Sequence, residues 1–273
     1  MLEIVKAILF GIIEGITEWL PISSTGHMIL LDEFIHLKVS SEFYKLFEVV
    51  IQLGAIMAVV IIYFNRLWPF GKMERDMKRT FSLWGKILVA CLPAAVIGIL
   101  FDDLLDKYLY NSIVVALMLI IYGIIFIVIE SKRIGSRKTK KIKDITYKQA
   151  LGVGAFQLLS LIPGTSRSGA TIIGGLILGM DRKIAAEFTF FLAIPVMFGA
   201  SLLKLVKYIL KVGLVFKINE IVILLVGCVV AFIVSAMVIK FLMNYIRKHN
   251  FKIFGYYRIL LGIIVLIYFL LIK

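Results

Sequence analysis

The sequence predicts an all-α polytopic membrane protein with six transmembrane helices plus two re-entrant helical hairpins in an inverted repeat. Three observations predict this. Of 273 residues, 61% are hydrophobic and the mean hydropathy is +1.01, whereas a soluble domain is roughly 45–50% apolar. Six apolar runs are long enough to cross a bilayer, which takes roughly 20 residues. Four further apolar pieces are about half that length, and they flank two polar clusters in pairs.

The elements follow in order. The first short piece, 2–13, runs into Glu14-Gly15-Ile16-Thr17-Glu18-Trp19-Leu20-Pro21-Ile22-Ser23-Ser24-Thr25-Gly26-His27. Glu14 and Glu18 are four apart, so a helix puts both on one face. Pro21 interrupts that helix, because it has no N–H and clashes with the preceding turn. A second short piece, 28–35, follows, and helix–break–helix is the pattern of a re-entrant hairpin. Spans near 43–64, 84–100 and 112–129 complete the first repeat, 1–130. A basic linker, 131–148, leads to the second repeat, 149–273. There the short pieces 150–162 and 170–180 flank Pro163-Gly164-Thr165-Ser166-Arg167-Ser168-Gly169, and spans lie near 184–210, 221–241 and 253–272. The whole of 1–273 reads as one membrane domain. Pro21-Ile22-Ser23-Ser24 matches Pro163-Gly164-Thr165-Ser166 at an offset of 163 − 21 = 142. Each half has an odd number of spans, so the second is inverted relative to the first. Inverted repeats of broken helices place a polar site near the midplane.

Loop charge predicts orientation. Arg66, Lys72, Arg75, Lys78 and Arg79 fall in one loop, the linker is denser still, and Arg247 and Lys248 fall in a third. All three lie on one side of a six-span arrangement, which makes that side cytoplasmic. Asp102, Asp103 and Asp106 lie opposite, and both termini face outward. Lys204, Lys207, Lys211 and Lys217 dissent from the outer side. The net charge of +14 is then a topology signal and not a nucleic-acid surface, and the linker reads as a solvated loop. Cys91 and Cys228 lie in apolar runs and read as small buried hydrophobes. The first twenty residues carry Glu14 and Glu18 and no small-residue cleavage site follows, so they are not read as a signal peptide. Pro93 and Pro195 read as kinks within spans, and His36 and His249 as surface residues. Glu48 and Glu187 are either helix-start acids or partners of the site.

The polar clusters carry the chemistry, because charge is costly in hydrocarbon and usually functional there. Helices restarting after each break offer free N–H groups and a positive dipole end to an anion. Ser23, Thr25, Gly26, Thr165, Ser166, Arg167 and Ser168 are the candidate phosphate-binding residues. Arg167 can grip phosphate oxygens with a planar fork. Glu14, Glu18, Ser24, His27 and Arg167 are the candidate catalytic residues, with Ser24 a nucleophile and His27, one turn on, a base or acid. Two carboxylates beside phosphate call for a hard divalent cation, Mg²⁺ or Ca²⁺, on Glu14 and Glu18. The plain alternatives are that Ser23, Thr165 and Ser168 only cap helices or shape the breaks, and that the glutamates only bond to a neighbouring helix.

Both motifs, with Phe47-Glu48-Val49-Val50-Ile51-Gln52-Leu53-Gly54-Ala55 and 186–195, resemble the bacterial undecaprenyl-diphosphatase family, also called bacitracin-resistance proteins. The similarity runs end to end. It implies a multi-pass phosphatase of the bacterial plasma (inner) membrane. Such an enzyme removes the terminal phosphate of undecaprenyl diphosphate, recycling the carrier lipid for cell-wall peptidoglycan synthesis. It also implies a site open to the outer face, dependence on a divalent cation, and bacitracin resistance on over-production. Carried residue by residue, the acidic pair is Glu14 and Glu18, the hydroxyl Ser24, the imidazole His27 and the guanidinium Arg167. The expected partners are a polyprenyl diphosphate lipid and the bilayer, with no nucleic acid and with a homodimer as an open option. The competing reading is a polyprenyl-phosphate flippase or transporter, which inverted repeats and re-entrant hairpins favour on architecture alone. Ser24 and His27 beside two carboxylates discriminate, since transport has no need of them.

Overall fold

The computed structural model describes residues 1–71, 73–109, 111–135, 138–213 and 217–271, with the side chains of 75, 99, 102–107 and 271 outside the description. Lys72 and the side chains of Arg75, Asp102, Asp103 and Asp106, on which part of the loop-charge reading rests, therefore lie outside the described residues. The helices in chain order are α1 (Leu2–Thr17), α2 (Ser24–Phe34), α3 (Ser41–Ile62), α4 (Phe64–Leu67), α5 (Glu74–Leu109) and α6 (Ser112–Ser131), then α7 (Tyr147–Leu158), α8 (Arg167–Ile177), α9 (Arg182–Val212), α10 (Ile218–Lys248) and α11 (Lys252–Leu271). Among the described residues, six are long and apolar enough to cross a membrane: α3, α5, α6, α9, α10 and α11. They fall on the six apolar runs of the sequence.

The helix ends differ from the apolar boundaries for local reasons. Helix α5 begins at Glu74, ahead of its apolar run, because charged residues such as Glu, Lys and Arg are good helix formers once a helix is nucleated. Helix α9 starts where Asp181 accepts a hydrogen bond from Lys183 N at 3.0 Å. Pro93 and Pro195 lie within α5 and α9. Helices α1, α2, α7 and α8 have 16, 11, 12 and 11 residues. At about 1.5 Å per residue each is shorter than a hydrocarbon core of about 30 Å.

Helix α1 packs on α10, α10 on α3, α3 on α9, α7 on α5, and α6 on α11. Exchanging the two halves maps α1–α10 onto α7–α5 and leaves α3–α9 and α6–α11 in place. The α6–α11 contact needs glycine on both sides. A Cβ on Gly123 would lie 2.7 Å from Gly255 O, and one on Gly255 would lie 2.7 Å from Gly123 O. Small residues let helix backbones approach where no water is available to drive association. Trp19, Phe188, Phe190 and Phe191 are fully buried at the centre. Leu225, Val229, Ile233, Met237 and Phe241 form an exposed i, i+4 stripe along α10, the kind of face that lipid covers.

Candidate active site

Both breaks are built the same way. Ser23 and Ser166 each adopt positive φ, 74° and 72°, a conformation that costs a non-glycine residue on the order of 1–3 kcal/mol. Each serine also caps the helix that follows. Ser23 Oγ accepts from Gly26 N at 3.3 Å, and Ser166 Oγ from Gly169 N at 3.1 Å. In the second break Gly164 has φ 88°, and a Cβ there would lie 2.5 Å from Val115 O. Glycine is thus required for that break to rest on α6.

A buried guanidinium ties the breaks together. Arg258, on α11, is 0% exposed. Its Nη1 donates to Pro21 O at 3.1 Å, and its Nη2 to Gly164 O at 2.8 Å and Thr165 O at 2.9 Å. Nε and Nη2 also donate, more weakly, to the α6 carbonyls of Leu119 and Met118. One side chain therefore saturates carbonyls that the two chain breaks leave without helical partners.

The candidate site side chains gather around Glu18, which is 5% exposed. Its Oε1 accepts from Arg167 Nη2 and its Oε2 from Ser24 Oγ, each at 2.8 Å. Arg167 Nη1 donates to Thr189 O at 3.0 Å, and the guanidinium lies over the Trp19 ring. Two arms of the Arg167 fork are thus held by protein, and Nε is buried with no partner among the described residues. The arginine therefore does not present an open fork: a phosphate would meet Nε or take the place of Glu18. Glu14 is buried, and its Oε1 has no partner among the described residues.

Glu18, Ser24 and Arg167 open on a cavity of about 650 Å³, whose lining does not include Glu14. Glu18, Ser24, Thr25, Ser166 and Arg167 line it from the breaks, joined by Gln52, Gln157 and Ser160. Ala94, Ala95 and Gly98 of α5 and Val196 to Val206 of α9 give it an apolar wall. A ligand with a charged head and a hydrocarbon body matches that division.

Several sequence expectations need correction in placement. His27 does not bond to Ser24. Its Nδ1 meets Ser23 O and its Nε2 meets Tyr257 Oη, each at 2.7 Å. A carbonyl can only accept, so Nδ1 carries a proton and donates to Ser23 O, while Nε2 shares a hydrogen bond with the tyrosine hydroxyl. The ring thus steadies the strained Ser23 backbone. Thr165 is 0% exposed and Ser168 1%, and neither is among the residues lining the cavity. Ser168 Oγ instead donates to Leu20 O at 3.3 Å, bridging the second break to the first. Ser23 and Gly26 are likewise buried in the cap. Glu187 is not beside Glu18; it pairs with Arg66 at the start of α9.

Sequence reasoning missed Trp19, Gln52, Gln157, Thr189, Tyr257 and Arg258. Arg258 had a readable signal, a permanent charge inside an apolar span. Gln157 had a weaker one, an amide in a short apolar piece. Thr189 meets Arg167 through its carbonyl, which no sequence pattern marks.

The family model for bacitracin resistance protein BacA matches residues 7–264. The chain belongs to the BacA family. Curated BacA-type relatives are similar over essentially their whole length. The undecaprenyl-diphosphatase of Acetivibrio thermocellus is 58% identical over 278 aligned residues, covering 100% of both chains. That of Enterococcus faecalis is 59% identical, covering 97% of each. That of Desulfitobacterium hafniense is 60% identical, covering 98% of this chain and 97% of its own.

Arg167→Lys should be a severe defect within this BacA-type site. Lysine keeps the charge, but its donors radiate from one nitrogen and cannot reproduce the planar spread by which Nη1 meets Thr189 O and Nη2 meets Glu18. Loss of one preorganised donor typically lowers turnover about 10²–10³-fold. Steady-state kinetics on the purified variant should show kcat falling more than apparent affinity, since the apolar wall is untouched. Wild-type kcat would reduce Arg167 to a bulk charge.

Proposed function

We propose that this chain hydrolyses undecaprenyl diphosphate to undecaprenyl phosphate and inorganic phosphate, recycling the carrier lipid for peptidoglycan synthesis and contributing to bacitracin resistance. The observation that carries this reading is the cavity: Glu18, Ser24 and Arg167 stand at its polar end, and an apolar wall from α5 and α9 continues it. A diphosphate head bonded to a polyprenyl tail has that shape and polarity. Relatives 58% and 59% identical carry the name undecaprenyl-diphosphatase.

The residues divide the work as follows. The Arg167 guanidinium, where phosphate displaces Glu18 from it, and the N–H groups opening α2 and α8 hold phosphate oxygens. Ser24 Oγ attacks the terminal phosphorus, and Glu18 Oε2, 2.8 Å away, takes its proton. The bond from that phosphorus to the bridging oxygen breaks, the lipid monophosphate leaves, and water then frees phosphate from Ser24. His27 and Arg258 hold the breaks in register. Glu14 and Glu18 fit a hard cation, because both are oxygen donors and Glu14 Oε1 is buried without a partner among the described residues. Among those residues no group of three or more potential ligands occurs, so substrate oxygens and water would complete the shell, as Mg²⁺ prefers. A Mg²⁺ or Ca²⁺ there would offset the repulsion between carboxylates and diphosphate.

Purified protein in detergent should release phosphate from a polyprenyl diphosphate, and chelation should stop this reversibly. Full activity after exhaustive chelation would remove the cation from the reading, whereas no release under any metal condition would favour the transporter. The proposed topology is two inverted halves, 1–130 and 149–273, in the inner membrane, with both termini and the cavity mouth outside. The matched breaks and the exchange of packing partners support the two related halves, and loop charge alone supports the orientation. A single cysteine at Thr25, with Cys91 and Cys228 replaced, should react with an impermeant thiol reagent applied outside intact cells. Labelling only from the cytoplasmic side would reverse the orientation.

A further inference from the structure

The helices that form the diphosphate cavity line a second one further toward their N-termini. Helix α5 lines the first with Cys91 to Gly98 and the second with Asp76 to Lys86, and α9 lines the first with Pro195 to Val206 and the second with Lys183 to Glu187. The second cavity, about 790 Å³, is completed by Asn65 and Arg66 and by 140–143 of the linker. Its described lining holds eight Lys or Arg side chains against two carboxylates. Both carboxylates are already engaged, Asp76 by Arg79 at 3.0 Å and Glu187 by Arg66. Lys140, Lys141, Lys143 and Lys183 have no ion-pair partner among the described residues.

The linker is solvent-exposed along most of its described length, as its charge suggested, but its backbone is anchored to the helices. Thr139 N donates to Gly179 O at 3.1 Å, and Asp181 N to Thr139 O at 2.9 Å. Ile145 is 2% exposed, and Lys86, 7% exposed, reaches across to Lys143 O. The lysines are therefore fastened as one wall of a concavity, where like charges repel one another at short range. Self-repulsion held in place by backbone bonds and a buried isoleucine is relieved by a multiply charged anion, and lysine ammonium groups are point-charge phosphate ligands.

The geometry points to a second binding site here, on the face opposite the cavity mouth, for a phosphate-bearing anion: an anionic phospholipid headgroup or free inorganic phosphate. The site is separate from the diphosphate chemistry and does not depend on it. The test compares wild type with Lys140→Gln/Lys141→Gln/Lys143→Gln and, from another wall, Lys183→Gln. All substituted positions are at least partly exposed, and retained phosphate release reports folding. One arm titrates sodium phosphate against sodium chloride at matched ionic strength and reads the thermal midpoint. The other transfers each protein from phosphatidylglycerol or phosphatidylcholine nanodiscs and reads retained lipid by native mass spectrometry. Phosphate held at the diphosphate site is common to all three proteins and cancels. The triple variant should lose about tenfold or more in apparent affinity in at least one arm, because each surface-proximal lysine contributes measurably to anion attraction, and Lys183→Gln should weaken the same arm. A response in the phosphate arm alone identifies free phosphate, and one in the lipid arm alone identifies the headgroup. Equal binding by wild type and both variants in both arms, or no binding by wild type in either, overturns the site; if the triple variant does not fold, Lys183→Gln decides alone.

Discussion

Glu18→Gln should lower phosphate release by about 10²-fold or more, the scale expected for a general base, while the protein stays folded in the membrane. Glu18 is the one carboxylate that joins the two halves at the site. It accepts from Arg167 of the second break and from Ser24 of the first, each at 2.8 Å. Glutamine is nearly isosteric, so packing around Trp19 and α1 is kept. Its amide, however, has one acceptor atom for two donors, and its NH₂ group must face either the Arg167 guanidinium or the Ser24 hydroxyl. The ion pair is lost and the serine proton has no carboxylate to go to. Arg167, freed from its partner, keeps its charge for the substrate diphosphate, so the loss should be larger in kcat than in KM. Purified variant kinetics check this, and wild-type kcat in a well-folded variant would take Glu18 out of the chemistry.

Arg258→Lys should impair both stability and turnover although Arg258 lines neither cavity. Removing donors from buried, charge-assisted bonds costs about 1.5–3 kcal/mol each, and Arg258 bonds Pro21, Gly164 and Thr165 together. An ammonium cannot span both breaks from one position. Their relative placement then relaxes, and a shift of about 1 Å at reacting groups can cost on the order of 10²-fold in rate. A control separates the two effects. Glu130→Gln weakens the bidentate Arg182 pair, with bonds of 2.7 and 2.6 Å, at the junction of α6 and α9. It should also lower the thermal midpoint, yet turnover per folded molecule should persist. Equal kcat losses in both variants would make Arg258 a general stability residue.

Most of the architecture was legible because solvent chemistry writes it into the composition. Apolar length located the six spans, and α3, α6 and α11 begin within two residues of the runs read from the sequence. The breaks were legible because Pro21 and Pro163 stand among hydroxyl-bearing residues. The division of labour within the motifs was less so. Ser24 and Ser23 are adjacent and chemically identical, yet one faces the cavity beside Glu18 and the other turns inward to cap Gly26. The positive φ at Ser23 produces that split, and local sequence does not state it. His27 lies one turn from Ser24 along α2, which made a catalytic pair attractive. Tyr257, 230 residues away in sequence, holds the ring instead.

The sequence by itself determined the class of molecule, the pairing of carboxylates with hydroxyls in one half and a guanidinium in the other, and the family. These depend on hydrophobicity, helical spacing and residue type, which are local properties. Only the tertiary structure decided that Glu18 and Arg167, 149 residues apart, form one pair, that Arg258 closes both breaks, and that the linker lysines converge on a cavity. Those outcomes depend on which helices pack together. A guanidinium in a low-dielectric interior settles wherever folding collects enough carbonyl and carboxylate oxygens to replace water, and that collection exists only once the two halves are docked.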